Sequence, residues 1–128
     1  MYDQRSKSDI ESCLDCQTIN STAVVTGNTI DTKDYEALDL CFNAEITTGV
    51  ATVAVYEGDE SDMSDEAVVD SSQLIGDQLT DACDTQVIHI GYVGNKRYVR
   101  PKITGSDTPN MVISGLAYKG RARHAPTV

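Results

Sequence analysis

Tryptophan is absent from this chain of 128 residues and phenylalanine occurs once, so a folded core has to be assembled from Val, Ile, Leu, Ala and some of the six tyrosines. A core so rich in β-branched residues favours strands over helices. Cations are scarce as well. Ten Lys and Arg face twenty Asp and Glu, a formal charge of −10 with a pI near 4.4, and such a chain repels a polyanion at long range, which excludes general nucleic-acid binding. No apolar run approaches the roughly 20 residues that span a bilayer, and the Met1 end has no signal-like apolar region, so no membrane partner and synthesis in the cytoplasm are expected.

Catalytic patterns are missing too. There is no Gly-x-Ser-x-Gly elbow and no glycine-rich phosphate loop; His89 stands inside a strand-like run with no nucleophile beside it in sequence, and His124 stands apart. The chain therefore reads as a non-enzyme, with no catalytic residue, cofactor or metal expected. Cys13-Leu-Asp-Cys16 has the spacing of a zinc half-site, but no second pair completes it; Cys41 and Cys83 are isolated, and without an export signal free thiols are the expectation. The acidic run 57–66 fails the EF-hand pattern, because Met63 sits where a ligand belongs and no glycine follows at the sharp turn.

The length suits one domain, able to bury roughly two thirds of the surface its unfolded chain exposes. Charge is segregated along it. Between Asp31 and Asp84 fifteen acids face Lys33 alone, a net −14, whereas from Gln86 onward seven cations face only Asp107, a net +6. This predicts an acidic face and a basic docking face.

Residues 1–20 show no lasting period and read as an N-terminal arm, with Ile10 and Leu14 its main apolar positions. A first strand is expected over 21–26. The firmest alternation follows, with Leu38, Leu40, Phe42, Ala44 and Ile46 on one face and Asp39, Cys41, Asn43 and Glu45 on the other. After Thr47-Thr48-Gly49, residues 50–56 read as its antiparallel partner. The run 57–66, with six acids in ten positions, reads as a surface loop and 67–69 as a brief edge strand.

The stretch 86–104 reads as two strands joined at Gly94-Asn95, a hairpin whose second arm holds Lys96, Arg97, Arg100 and Lys102. Pro101 cannot donate to a ladder, so that arm is predicted to be an edge or bulged strand. A polar turn at 105–110 leads to a last strand at 111–118 and a basic tail at 119–128. Short strands with turn residues between them define an all-β fold, an antiparallel β-sandwich over 21–118 with extended N- and C-terminal arms.

The run Ile90-Gly-Tyr-Val-Gly-Asn-Lys-Arg-Tyr-Val-Arg100, preceded by the strand pair 37–46 and 50–56 and the acidic loop 57–66, resembles small structural proteins of tailed-bacteriophage heads, the capsid decoration or cement proteins. The resemblance covers about residues 21–123. It implies a jelly roll, assembled often as trimers on the outer face of the capsid, that clamps neighbouring major capsid protein subunits in the virion. It carries over no catalytic residue and leaves the Cys-x-x-Cys arm unexplained. Scattered apolar and basic positions nominate Ile10, Leu14, Arg97, Arg100, Lys102, Lys119, Arg121 and Arg123 for capsid or subunit contacts. The competing readings are another phage head or tail component, and a β-sandwich module for host-surface carbohydrate, the latter weakened by the scarcity of aromatic rings.

Overall fold

The computed structural model describes residue 3, residues 5–76 and residues 85–123. The expected turn at 81–84, Cys83, His124 and the tail residues 124–128 lie outside the described residues. The described residues form eight strands: β1 (Asp9–Ile19), β2 (Val25–Thr26), β3 (Ile30–Asp31), β4 (Tyr35–Gly58), β5 (Ala67–Val68), β6 (Leu74–Gly76), β7 (Thr85–Tyr92) and β8 (Tyr98–Ala122), with short 3-10 turns at Arg5–Lys7 and Ser71–Gln73. All eight pair antiparallel in a single sheet, so the all-β antiparallel class expected from the sequence is the class observed.

Two long strands organise that sheet. β4 and β8 pair from Tyr35 against Ala122 to Gly58 against Tyr98. A straight strand of 24 residues would extend about 80 Å. It does not run straight. Tyr92 pairs with Leu38 near the start of β4, and its hydroxyl donates to the carboxylate of Glu57 near the end of β4. The β4–β8 ribbon therefore doubles over, and each strand contributes to two facing layers. One layer has the order β1-β8-β4-β7-β6; the other sets the second half of β4 and the first half of β8 beside β2, β3 and β5.

The fold-over has a local cause. The register slips on both sides of Thr48, and Gly49 takes a left-handed φ of 84° against Ser106 and Pro109 of the partner strand. Opposite it, Asp107 and Thr108 also have positive φ, and the Thr48 hydroxyl donates to the Thr108 carbonyl at 2.8 Å. Leu40, Phe42, Ile46 and Ile113 from one layer meet Val53, Val55, Val99 and Ile103 from the other in one core.

Four sequence expectations change here. Residues 9–19 are not a detached arm but edge strand β1, paired with β8, with Cys13, Leu14 and Ile19 buried. Bulges at 12–17 turn consecutive residues Cys13 and Leu14 inward, which erases the two-residue period. Residues 50–56 do not pair with 37–46; they continue the same strand beyond the bend. Nor is 86–104 a hairpin. β7 pairs with β4 and β6, while β8 pairs with β1, β2, β3 and β4. The segment between them crosses from one layer to the other, and the backbone N–H of Lys96 donates to the Tyr92 hydroxyl at 3.1 Å. The expected tail from 119 begins as strand, since β8 continues through Ala122.

Candidate assembly surfaces

In β8, Val99, Pro101 and Ile103 turn inward, so Arg100 and Lys102 project from the outer face of the second layer. They converge there on one carboxylate. Glu66 accepts from Arg100 Nε at 2.9 Å and Nη2 at 2.6 Å, and from Lys102 Nζ at 2.6 Å. The bonds from Lys102 and Arg100 hold the Glu66 carboxyl below its ordinary range despite partial desolvation. Arg97 forks onto Asp31 through Nε at 2.9 Å and Nη2 at 2.8 Å, which lowers the Asp31 carboxyl and raises the guanidinium.

Lys96 reaches Asp59 at 2.7 Å. The Lys119 ammonium is nearly buried; it lies 3.1 Å from Glu11 and 3.4 Å from Asp9, and donates to the Asp31 carbonyl at 3.4 Å. Arg121 and Arg123 stand farther from their partner Glu36, at 3.8 and 3.9 Å, and are exposed. The basic docking face expected from the sequence is thus compensated in place by the chain's own acids.

The acidic run explains part of this. It folds around Met63, which is 2% exposed and has a φ of 58°. The Asp65 carboxylate accepts the backbone N–H groups of Asp59 and Glu60 at 2.8 and 3.2 Å. A compact turn results, presenting Asp59 to Lys96 and Glu66 to Arg100 and Lys102. Read by composition alone, Met63 breaks a calcium pattern; its actual role is to anchor the loop.

Of the apolar contact candidates, Leu14 is 1% exposed and belongs to the core, whereas Ile10 is 58% exposed. Cys13 is buried and burial pushes its thiol up to about 12, whereas Cys16 points to solvent, so the two sulfurs do not converge. Cys13, Cys16 and Cys41 are free thiols. Among the described residues no three His, Cys, Asp or Glu side chains are placed to share a metal ion.

The sequence reading missed the outer face of the first layer. Cross-strand partners give its rows: Ile10, Tyr118, Asp39, Gly91 and Ile75; then Ser12, Leu116, Cys41 and His89; then Ser114, Asn43 and Val87; then Thr18, Val112 and Glu45. Ile10, Ile75, Val87, Val112 and Leu116 are all exposed on it. No Lys or Arg lies in these rows, and Asp39 pairs with His89 at 3.1 Å. The signal was present as Val87 and Leu116 at the outward positions of alternating runs, visible only once the inward set is known.

An open cleft of about 600 Å³ lies between residues 32–38 and 92–97, with Tyr35 and Tyr92 in its wall. Neither ring is a free platform. Tyr92 is engaged by Glu57, which together with burial raises its hydroxyl well above the ordinary value, and Lys119 lies 5.1 Å from the centre of the Tyr35 ring. Tyr56 and Tyr98 likewise carry Lys102 and Arg97 at 4.3 and 5.0 Å.

No family model matches the chain, and no curated protein matches it. Among solved structures, the SPBc2 prophage-derived protein YomS is similar to it with a TM-score of 0.50 and 9% identity, over 93% of this chain and 99% of that one. That likeness shows a shared fold across almost the whole of both chains. A structure of Bacillus endospore appendages, described as disulfide-linked pili, matches 95% of each chain at TM-score 0.44 and 10% identity. A family two carbohydrate esterase from Cellvibrio japonicus matches at TM-score 0.38 and 11% identity, over 94% of this chain and 36% of that one.

Proposed function

We propose that this chain is a structural, non-enzymatic component of a phage-type particle, bound to the outer surface of the capsid, where it stabilises contacts between major capsid protein subunits. The observation that carries the reading is the fold shared end to end with a protein whose name places it in a prophage. A rigid doubled-over sheet with an exposed apolar face, and with most of its cations neutralised internally, suits a part that contributes surface and stiffness. On this reading the capsid contacts involve the positions that stay accessible, Ile10, Arg121 and Arg123.

The carbohydrate reading is weaker, since Tyr35, Tyr56, Tyr92 and Tyr98 are each engaged by a cation or a carboxylate. Cosedimentation with undecorated capsids tests the proposal: the chain should pellet with them saturably. A chain left entirely in the supernatant would sink it.

A further inference from the structure

We infer that β1 is an exchangeable strand, and that its seat on β8 accepts β1 of a second copy of this chain in place of its own. The inference names a contact between copies, and the capsid reading does not depend on it. The connector carries it. Residues 20–24, which lead from β1 in the first layer to β2 in the second, are exposed throughout, and no hydrogen bond to another described residue ties them down. The other connectors within the described residues are all fastened: 27–29 to Pro101 and Cys13, 32–34 to Arg97, 59–66 by the Asp65 carboxylate, 69–73 to Val55 and 93–97 to Gln73. β1 is thus joined to the body by a covalent link without a fixed path, which is what an exchanging strand needs.

The seat defines its occupant. β1 has no sheet partner other than β8 among the described residues, and two bulges interrupt that ladder. Cys13 Sγ lies over Gly115, where a Cβ would stand 2.9 Å from it, so the seat is shaped by the missing side chain. Lys119, nearly buried on β8, has both of its carboxylate partners on β1, Asp9 and Glu11. Asn28 adds a clamp: its backbone N–H donates to the Cys13 carbonyl at 2.8 Å and its side-chain amide to the Asp15 carboxylate at 3.1 Å.

An acidic strand with a small residue over Gly115 fits this seat, and β1 has that form. In exchanged copies every one of these contacts is remade. What opposes exchange is therefore the cost of association and the repulsion between two chains of −10. Salt screens the repulsion, and concentration offsets the association cost.

Cross-linking in trans tests this on the full chain. Asp15→Cys is made in one sample and Asn28→Cys in another, both with Cys16→Ser, and the two are mixed in high salt with a short bis-maleimide. A link between positions 15 and 28 then forms only where β1 of one copy sits on the other, and peptide mass mapping identifies it. Its yield should rise about tenfold for a tenfold rise in concentration while exchanged copies are the minority. Val68→Cys, at an exposed site away from the seat, should give no link to position 15 when it replaces Asn28→Cys. Deleting residues 21–24 leaves Asn20 alone to bridge β1 and β2, a reach of about 7 Å against the roughly 10 Å between packed layers. The shortened chain should exchange fully and sediment at a multiple of its own mass.

Absence of the 15–28 link at every concentration, or an equally frequent link from Val68→Cys, would overturn the inference, as would a shortened chain that remains a folded monomer. If the shortened chain misfolds, the mixed-variant links decide alone. Exchange in a chain that fails to pellet with capsids leaves the inference standing and removes the capsid reading; pelleting without any 15–28 link does the reverse.

Discussion

The Phe42 ring lies directly across the sheet from Gly115, its cross-strand partner, and fills the space a side chain there would take. A Cβ at Gly115 would stand 2.8 Å from Phe42 Cδ1 and 2.9 Å from Cys13 Sγ. Gly115→Ala should therefore cost about 1–3 kcal/mol through overpacking, and Phe42→Ala about 3–5 kcal/mol through the cavity it leaves. Combining Phe42→Ala with Gly115→Ala should cost less than the sum, because the added methyl grows into the vacated volume. Urea titration of the four proteins measures this; strict additivity would show that the two sites do not share a space.

How legible this fold was depended on where the two-residue period survived. Leu38 to Ile46 alternates cleanly, and its inward set is the observed core. β1 was hidden because its bulges place Cys13 and Leu14 inward in succession. The bend at Gly49 resembles a hairpin turn in sequence, and only the pairing of both halves of β4 with β8 distinguishes the two. The cations were correctly seen as concentrated, but their partners Asp31, Glu66 and Glu11 lie 34 to 108 residues away, a separation at which local pattern carries no information. The apolar outer face was missed for a related reason, since outward valines look like ordinary strand formers until neighbouring strands are set beside them.

The fold-over itself rests on Gly49. Its φ of 84° disfavours any L side chain, and a Cβ there would come within 2.5 Å of the Ser106 carbonyl oxygen and 2.6 Å of Pro109 Cα. Gly49→Ala should destabilise by at least about 1 kcal/mol and lower the melting temperature by roughly 3–5 °C. Ser106 and Pro109 are backbone obstacles in a paired strand, so they cannot rotate away as a side chain would. An unchanged melting temperature would mean that the bend tolerates a different backbone path.

Glu66 should make the protein acid-sensitive. Its folded carboxyl titrates below its ordinary value of 4.5, so its contribution is present above that value and is lost as pH falls through the lower folded one. Glu66→Gln removes the charge and leaves Arg100 and Lys102, each about one fifth exposed, without their shared partner. A loss on the order of 1 kcal/mol at neutral pH is expected, shrinking as pH drops into the acid range. Unfolding free energies of both proteins compared across that range check the sign: a gap that widens on acidification would contradict the assignment.

Lys119 is the hinge between β1 and the rest of the sheet. Its ammonium is 9% exposed and joins Asp9 and Glu11 of β1 to the Asp31 carbonyl of β3, over the Tyr35 ring at the start of β4. Burial opposes the charged form, but the Glu11 hydrogen bond and the two carboxylates outweigh it, so the folded ammonium titrates above the ordinary 10.5. With the folded value raised, the stabilisation is full below 10.5 and disappears as pH climbs through the folded value. Lys119→Met keeps the length of the side chain and removes the charge. Because Asp9 and Glu11 stay more than a third exposed, the expected cost is about 1 kcal/mol rather than that of a fully buried pair. Amide hydrogen exchange should locate it: protection should fall at residues 9–12 and persist in β4 between Leu40 and Ala44, whose neighbours on both sides are unchanged. Uniform loss across both strands would instead mean that β1 and the sheet open as one unit, and that Lys119 stabilises the whole fold rather than the attachment of its edge.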